Sequence, residues 1–261
     1  MPTVADLVLE VNNLSKTFGG LHAVEGCTFD VRRGSITGVI GPNGAGKTTT
    51  LNMIAGELRP SGGEILFDGV DIAGKRPYRI ARLGVGRTFQ LARELGRLTV
   101  MENVCLAPQG QRGESLLWSI LRGKAVREQE RRVQDKARDV LHTFNLYEKR
   151  NDLAATLSGG QKKLLEIARA VMAEPKLLLM DEPTAGVNPA LRDRLLDHIR
   201  AIHGQGLSVI IVEHNLSVIE DLCDDVIVMT AGKVLKRGTM AQLRSDDEVI
   251  AAYLGGNSVN A

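Results

Sequence analysis

Ser35-Ile36-Thr37-Gly38-Val39-Ile40 runs into Gly41-Pro42-Asn43-Gly44-Ala45-Gly46-Lys47-Thr48, and residues 48–56 continue as TTTLNMIAG. The first part is a short apolar run, the second is rich in glycine, and the third turns from polar to apolar with helical spacing. Strand, glycine loop and helix in this order open a nucleotide-binding α/β unit. The spacing G-x-x-x-x-G-K-[ST] has a chemical reason. Glycines let successive backbone N–H groups turn inward toward phosphate oxygens. The helix that follows adds the partial positive charge of its N-terminus. Lys47 is placed to reach the β- and γ-phosphates, and the Thr48 hydroxyl to serve Mg²⁺. Gly41 through Thr48, with Thr49, are therefore the expected nucleotide-binding residues, for a nucleoside triphosphate with Mg²⁺.

Working outward, Lys176–Glu182 reads KLLLMDE. An apolar strand there delivers Asp181 and Glu182 at its C-terminal end, where open parallel sheets bind their ligands. Asp181 is suited to hold Mg²⁺ through water, and Glu182 to polarise the attacking water as general base. Leu177–Met180 and Ser208–Val212 are continuously apolar rather than alternating, the pattern of buried parallel strands. Between them, Pro189–His203 has helical periodicity with proline at its first turn. Leu7–Leu14 alternates and reads as a strand. Two hairpins are expected, Glu64–Phe67 with Val70–Ile72 about Asp68-Gly69, and Val226–Met229 with Lys233–Lys236 about Ala231-Gly232.

The middle of the chain differs. From about Leu91 to Thr156 the pattern is mostly helical. Arg122–Arg150 carries nine Lys/Arg and five Asp/Glu, a mixture that reads as a solvated helix face. The expected organisation is one domain over 1–261, an α/β core interrupted by a helical subdomain over roughly 91–160.

Composition narrows the function. The 261 residues are 43% hydrophobic and 25% charged, an ordinary globular mixture. Net charge is +2 and only nine residues are aromatic, which argues against a nucleic-acid partner read by field or by base stacking. Cys27, Cys105 and Cys223 lie far apart with no CxxC spacing, so neither a disulfide framework nor a zinc site is expected. The N-terminus lacks the basic and apolar segments of a secretory signal. The strongly apolar stretches are a few residues long, whereas a membrane span needs about 20. Any membrane work therefore has to pass through a partner.

Leu157-Ser158-Gly159-Gly160-Gln161 resembles the signature motif of ABC-type ATPases. The other motifs of that family follow in order. Gln90 in Arg87-Thr88-Phe89-Gln90 matches the Q-loop, Asp181-Glu182 the Walker B acid and catalytic glutamate, and Ala185-Gly186-Val187-Asn188 the D-loop. His214, after the strand SVIIVE, matches the H-loop histidine, and Ser208–Val212 reads as the last parallel strand. Phe18 stands where the family places an aromatic against adenine. The resemblance implies an ABC-type P-loop core with N-terminal antiparallel strands and a helical insertion. It also implies two ATPase subunits facing head to tail around two ATP molecules. Ser158, Gly159, Gly160 and Gln161 of one subunit would then meet the γ-phosphate held by the other. Gln90 would touch the metal or the attacking water, and His214 the γ-phosphate. A Ser-Gly-Gly segment opening a helix suits this role, since Ser158 can cap and the glycines expose backbone N–H groups.

Within that family, several segments are similar to the LivG-type ATPase subunits of branched-chain amino acid importers. They are Phe18-Gly19-Gly20-Leu21, Gly86–Gln90, Leu98-Thr99-Val100 with Glu102-Asn103-Val104, Ala185–Pro189 and Ala252-Tyr253-Leu254-Gly255. The long segment 110–150, with Trp118 on an apolar patch, suits that type; the patch reads as packing within the insertion, with part of a permease-receiving groove as the alternative. Related branches serve urea or short amides, or lipopolysaccharide export. A soluble non-transport ABC ATPase or a P-loop kinase makes less use of the motif set. The resemblance implies two transmembrane permease subunits and a second, different ATPase subunit, with a homodimer as the alternative. It implies a solute-binding protein acting indirectly, and a peripheral position on the cytoplasmic face of the cell membrane.

Overall fold

The computed structural model describes residues 6–88, 95–108 and 124–255. The chain forms two compact units, one of Met1–Arg87, Lys176–Ala185 and Ile202–Ala261, the other of Thr88–Pro175 and Gly186–Ala201.

Among the described residues all the strands belong to the first unit. β1 (Leu7–Phe18) and β2 (Leu21–Arg32) form an antiparallel hairpin, which continues through β4 (Gly62–Phe67) and β5 (Val70–Asp71) in the order β2-β1-β4-β5. β2 escapes a reading by alternation. Its pairing jumps from Lys16 opposite Val24 to Leu14 opposite Cys27, and Gly26 at the break has φ 64°. This bulge puts Val24 and Cys27 on the same buried face although they are three residues apart. The β4–β5 hairpin forms about Asp68-Gly69 as expected.

The second sheet has the order β10-β9-β3-β8-β7-β6. Its strands are β3 (Ile36–Ile40), β6 (Val85–Arg87), β7 (Leu177–Asp181), β8 (Ser208–Val212), β9 (Asp225–Thr230) and β10 (Lys233–Gly238). β3, β7 and β8 are buried at every position, as their unbroken apolar sequences require. One expectation is corrected. β8 is not the last parallel strand, because β9 pairs parallel to β3, from Thr37 opposite Asp225 to Ile40 opposite Val228. β9 therefore both turns into the expected hairpin with β10 and extends the parallel core. That is why Val226–Met229 is fully buried.

The register positions the chemistry. Asp181 lies opposite Val212, and Val39 opposite Val212 on the other side. The glycine loop after β3, Glu182 after β7 and His214 after β8 consequently leave the sheet at the same, C-terminal edge. Helices α1 (Lys47–Ile54) and α2 (Pro77–Leu83) belong to this unit.

The second unit holds α3 (Val100–Cys105), α4 (Lys124–Thr143), α5 (Gly159–Met172) and, through Ala201, α6 (Pro189–His203). Ala137, Leu141, Phe144, Leu165, Ala168, Leu195 and Ile199 are among its buried residues. α4 keeps its charges in solvent, with Glu128–Arg132 and Asp135–Arg138 paired along its surface. The Leu98–Val104 motif has a local reason. The buried Asn103 amide donates to the carbonyls of Leu95, Leu98 and Thr99, and its oxygen accepts the Leu95 N–H. Thr99 and Glu102 close a capping box on the same helix. The chain completes the first unit with α7 (Leu216–Leu222), α8 (Met240–Arg244) and α9 (Asp247–Gly255). Among the described residues no helix is long and apolar enough to cross a membrane.

Candidate active site

The loop after β3 is built by glycines that nothing else can replace. Gly41 has φ 149°, and a Cβ there would lie 2.1 Å from the Met229 carbonyl oxygen. Gly46 has φ 94°, and a Cβ would lie 2.6 Å from the Ala23 carbonyl oxygen. Gly46 is also the N-cap of α1. No side chain caps that helix and no acid sits in its first turn. The first-turn N–H groups are thus left for an outside acceptor, and the helix dipole adds to their pull on an anion. Lys47 is buried, and its ammonium donates to the carbonyls of Gly41 (2.8 Å) and Pro42 (2.9 Å), folding back along the loop. Burial draws its pKa below the ordinary lysine range, against the opposing charges of Glu182 and Asp181.

Asp181 ends β7 and is 2% exposed. Its Oδ1 accepts the Thr48 hydroxyl at 3.3 Å. Its Oδ2 is buried with no hydrogen bond, and the Arg87 guanidinium stands 3.6 Å away. Burial raises the carboxyl pKa, opposed first by Arg87 and then by the Thr48 bond. A hydroxyl beside a carboxylate with an unused buried oxygen is a hard-donor pair that fits Mg²⁺. Among the described residues no three His, Cys, Asp or Glu side chains gather into a metal cage.

Glu182 adopts a left-handed backbone, φ 50°, while its N–H donates to the Val212 carbonyl at 2.9 Å. Such a conformation in a non-glycine residue costs about 1–3 kcal/mol and clusters at functional sites. The turn swings the carboxylate to 2.8 Å from His214 Nε2. Both side chains remain partly open to solvent. Buried Glu213 accepts the N–H and the hydroxyl of Thr184, at 2.9 and 2.7 Å, and so pins the chain just after Glu182. Sequence reading gave Glu213 no role, although a charge closing an apolar strand is a signal that could have found it. Phe18 is at the end of β1, 47% exposed, with the Lys16 ammonium 5.0 Å from its ring centre. The ring is half-exposed rather than buried in the core, with the Lys16 ammonium over it. Gln90 and Trp118 lie outside the described residues.

In the second unit Ser158 caps α5. Its hydroxyl oxygen accepts the Gln161 N–H at 3.3 Å, and Gln161 Oε1 accepts the Ser158 N–H at 3.0 Å. The Gln161 side chain is thereby engaged in the cap, while the Ser158 hydroxyl keeps its own proton to donate. The two glycines differ. A Cβ on Gly160 would fall 1.6 Å from Leu191 Cδ2 of α6, so packing asks for glycine there. A Cβ on Gly159 would meet nothing within 4 Å, and its φ is not in the left-handed region.

The family model described as ABC transporter matches residues 24–185. A probable branched-chain amino acid transport ATP-binding protein LivG of Archaeoglobus fulgidus is 43% identical over 248 residues, 95% of each chain. The high-affinity branched-chain amino acid transport ATP-binding protein BraF of Pseudomonas aeruginosa is 39% identical, over 95% of this chain and 98% of its own. The chain belongs to the ABC transporter family. A crystal structure of the ADP conformation of an ATP-binding cassette from an ABC transporter matches it with a TM-score of 0.81. The match has 35% identity and covers 95% of this chain and 99% of that one. A nucleotide-free cassette matches with a TM-score of 0.80 at 34% identity, over 95% and 98% of the two chains. This ABC protein is accordingly an ATPase with the α/β P-loop core that the sequence implies.

Proposed function

We propose that this ABC ATPase energises an importer of branched-chain amino acids from the cytoplasmic face of the membrane. The observation that carries the substrate class is similarity along 95% of the chain to proteins named for branched-chain amino acid transport. Its partners are two permease subunits, a second and different ATPase subunit, and, indirectly, a solute-binding protein.

Each site residue takes a role that its surroundings allow. The 41–49 loop and the start of α1 hold the phosphates, and Lys47 unfolds from its loop carbonyls onto the β- and γ-phosphates. Phe18 stacks on the base. Thr48 and Asp181 hold Mg²⁺, with Gln90 completing that side by resemblance. The ion, when bound, supplies charge stabilisation to the transferring phosphoryl group. Glu182 accepts the proton of the attacking water. His214 steadies Glu182 before nucleotide arrives and turns to donate to the γ-phosphate when it is present. Ser158 and the segment through Gln161 approach the γ-phosphate of the partner subunit.

The unoccupied space at Gly159 supports this last role. Gly159→Ala is expected to leave the melting temperature within about 2 °C, because the added methyl touches nothing in the chain. It should nonetheless weaken ATP-induced dimerisation, read by size-exclusion chromatography with a hydrolysis-deficient background. Unimpaired dimerisation would remove Gly159 from the interface.

The function is tested by reconstituting the ATPase in proteoliposomes with branched-chain amino acid permease subunits, a second ATPase subunit and a solute-binding protein. ATP-driven uptake of labelled leucine is expected. Uptake of urea but not leucine would overturn the substrate class.

A further inference from the structure

The geometry points to Arg87 as a positioning residue that sets the Mg²⁺ requirement of ATP binding through Asp181, an inference resting on the assignment of Asp181 and Thr48 to the metal. Arg87 closes β6, which runs beside β7 with Arg87 opposite Leu179. Its side chain is 11% exposed. Nη1 bonds to Glu57 Oε2 at 3.2 Å, and Glu57 follows α1, the helix that carries Lys47 and Thr48. Nη2 stands 3.6 Å from Asp181 Oδ2. Arg87 Nε and Asp181 Oδ2 are both buried and both without a hydrogen bond.

A buried carboxylate oxygen without a hydrogen bond, 3.6 Å from a guanidinium that bonds elsewhere, calls for an explanation, since it forgoes a charge-assisted bond within reach. Glu57 supplies one. It holds the guanidinium back at a distance where its charge still acts on the carboxylate but its N–H groups do not take the Oδ2 lone pairs. Arg87 thus balances the buried charge of Asp181 and fixes the direction of its carboxylate. Oδ1 accepts the Thr48 hydroxyl, and Oδ2 is left without a hydrogen bond, the oxygen that would face Mg²⁺ or its water. A fully bonded arginine would compete with the metal, and no arginine would leave a buried carboxylate uncompensated and free to turn.

Binding of a fluorescent ATP analogue is measured against Mg²⁺ concentration, with a parallel titration in EDTA. In Arg87→Gln the half-saturating Mg²⁺ is expected to rise about tenfold or more, the scale of outer-shell changes at metal sites. Affinity in EDTA should stay at the wild-type value. Arg87→Lys should recover part of the shift, and Glu57→Gln, which loosens the arginine without removing it, should give a smaller rise. Thermal melts in EDTA identify any variant that fails to fold, and Glu57→Gln, at a more exposed side chain, then carries the test. A wild-type Mg²⁺ dependence in Arg87→Gln, or a lowered one, overturns the inference. If Asp181→Asn also keeps the wild-type dependence, the metal assignment itself falls, which distinguishes the two failures.

Discussion

Glu182→Gln is expected to lower ATP turnover by about 10²- to 10⁴-fold, the usual contribution of a positioned general base. ATP binding should survive, and an ATP-bound dimer should accumulate because assembly no longer leads to hydrolysis. The substitution is close to a clean removal of basicity. The amide has the size of the carboxylate, and its oxygen can still accept from His214 Nε2, which stands 2.8 Å from Glu182 Oε1. The left-handed turn at φ 50° is also kept, anchored by the Glu182 N–H on Val212 and by Glu213 on Thr184. What is lost is a lone pair able to take the proton of water. Phosphate release under saturating Mg-ATP measures the rate, and size-exclusion chromatography measures the trapped dimer. Turnover at the wild-type rate would take Glu182 out of the base role. A loss of nucleotide binding would mean that its charge serves the phosphate loop instead.

The parts of this picture that were legible in the sequence are those whose physics is local. The glycine loop announces itself because Gly41 and Gly46 occupy backbone and space closed to other residues, so their spacing is written in adjacent positions. β3, β7 and β8 are buried on both faces and read as unbroken apolar runs. β2 was hidden because a bulge at Gly26 breaks the two-residue period. β6 is three residues long, too short to carry a pattern. The parallel pairing of β9 depends on strand order, which no local run encodes. The same divide runs through the site. Thr48, Asp181, Glu182 and His214 were each nameable, but the contact of Glu182 with His214 joins loops about 30 residues apart and exists only once β7 and β8 are neighbours. Arg87 has no role legible in its local motif, because the partners that give it one, Glu57 and Asp181, lie far away in sequence. Ser158 shows the opposite limit. Its cap was foreseen, yet the different reasons for Gly159 and Gly160 needed the position of Leu191.

Lys47→Ala should act at the opposite end of the cycle, on affinity rather than on rate. A hydrogen bond to a charged group contributes about 1.5–3 kcal/mol, so loss of the ammonium should weaken ATP binding roughly 10- to 150-fold. Isothermal titration measures the change. Two effects have to be separated, because the ammonium also bonds to the carbonyls of Gly41 and Pro42 and partly offsets the charges of Asp181 and Glu182. If the loop depends on those bonds, the nucleotide-free protein should melt lower. If it rests on the glycine geometry, as the close approaches of Gly41 to Met229 and Gly46 to Ala23 suggest, the melting temperature should hold while affinity falls. The second outcome is expected, since the glycine geometry is untouched and the released Pro42 carbonyl is only part-buried, next to exposed Asn43 and Gly44. Lys47→Arg is then expected to bind poorly as well, because a planar fork replaces the compact ammonium that fits between the two carbonyls. Unchanged affinity in Lys47→Ala would contradict the reading of Gly41–Thr48 as the phosphate site, whatever the turnover of Glu182→Gln.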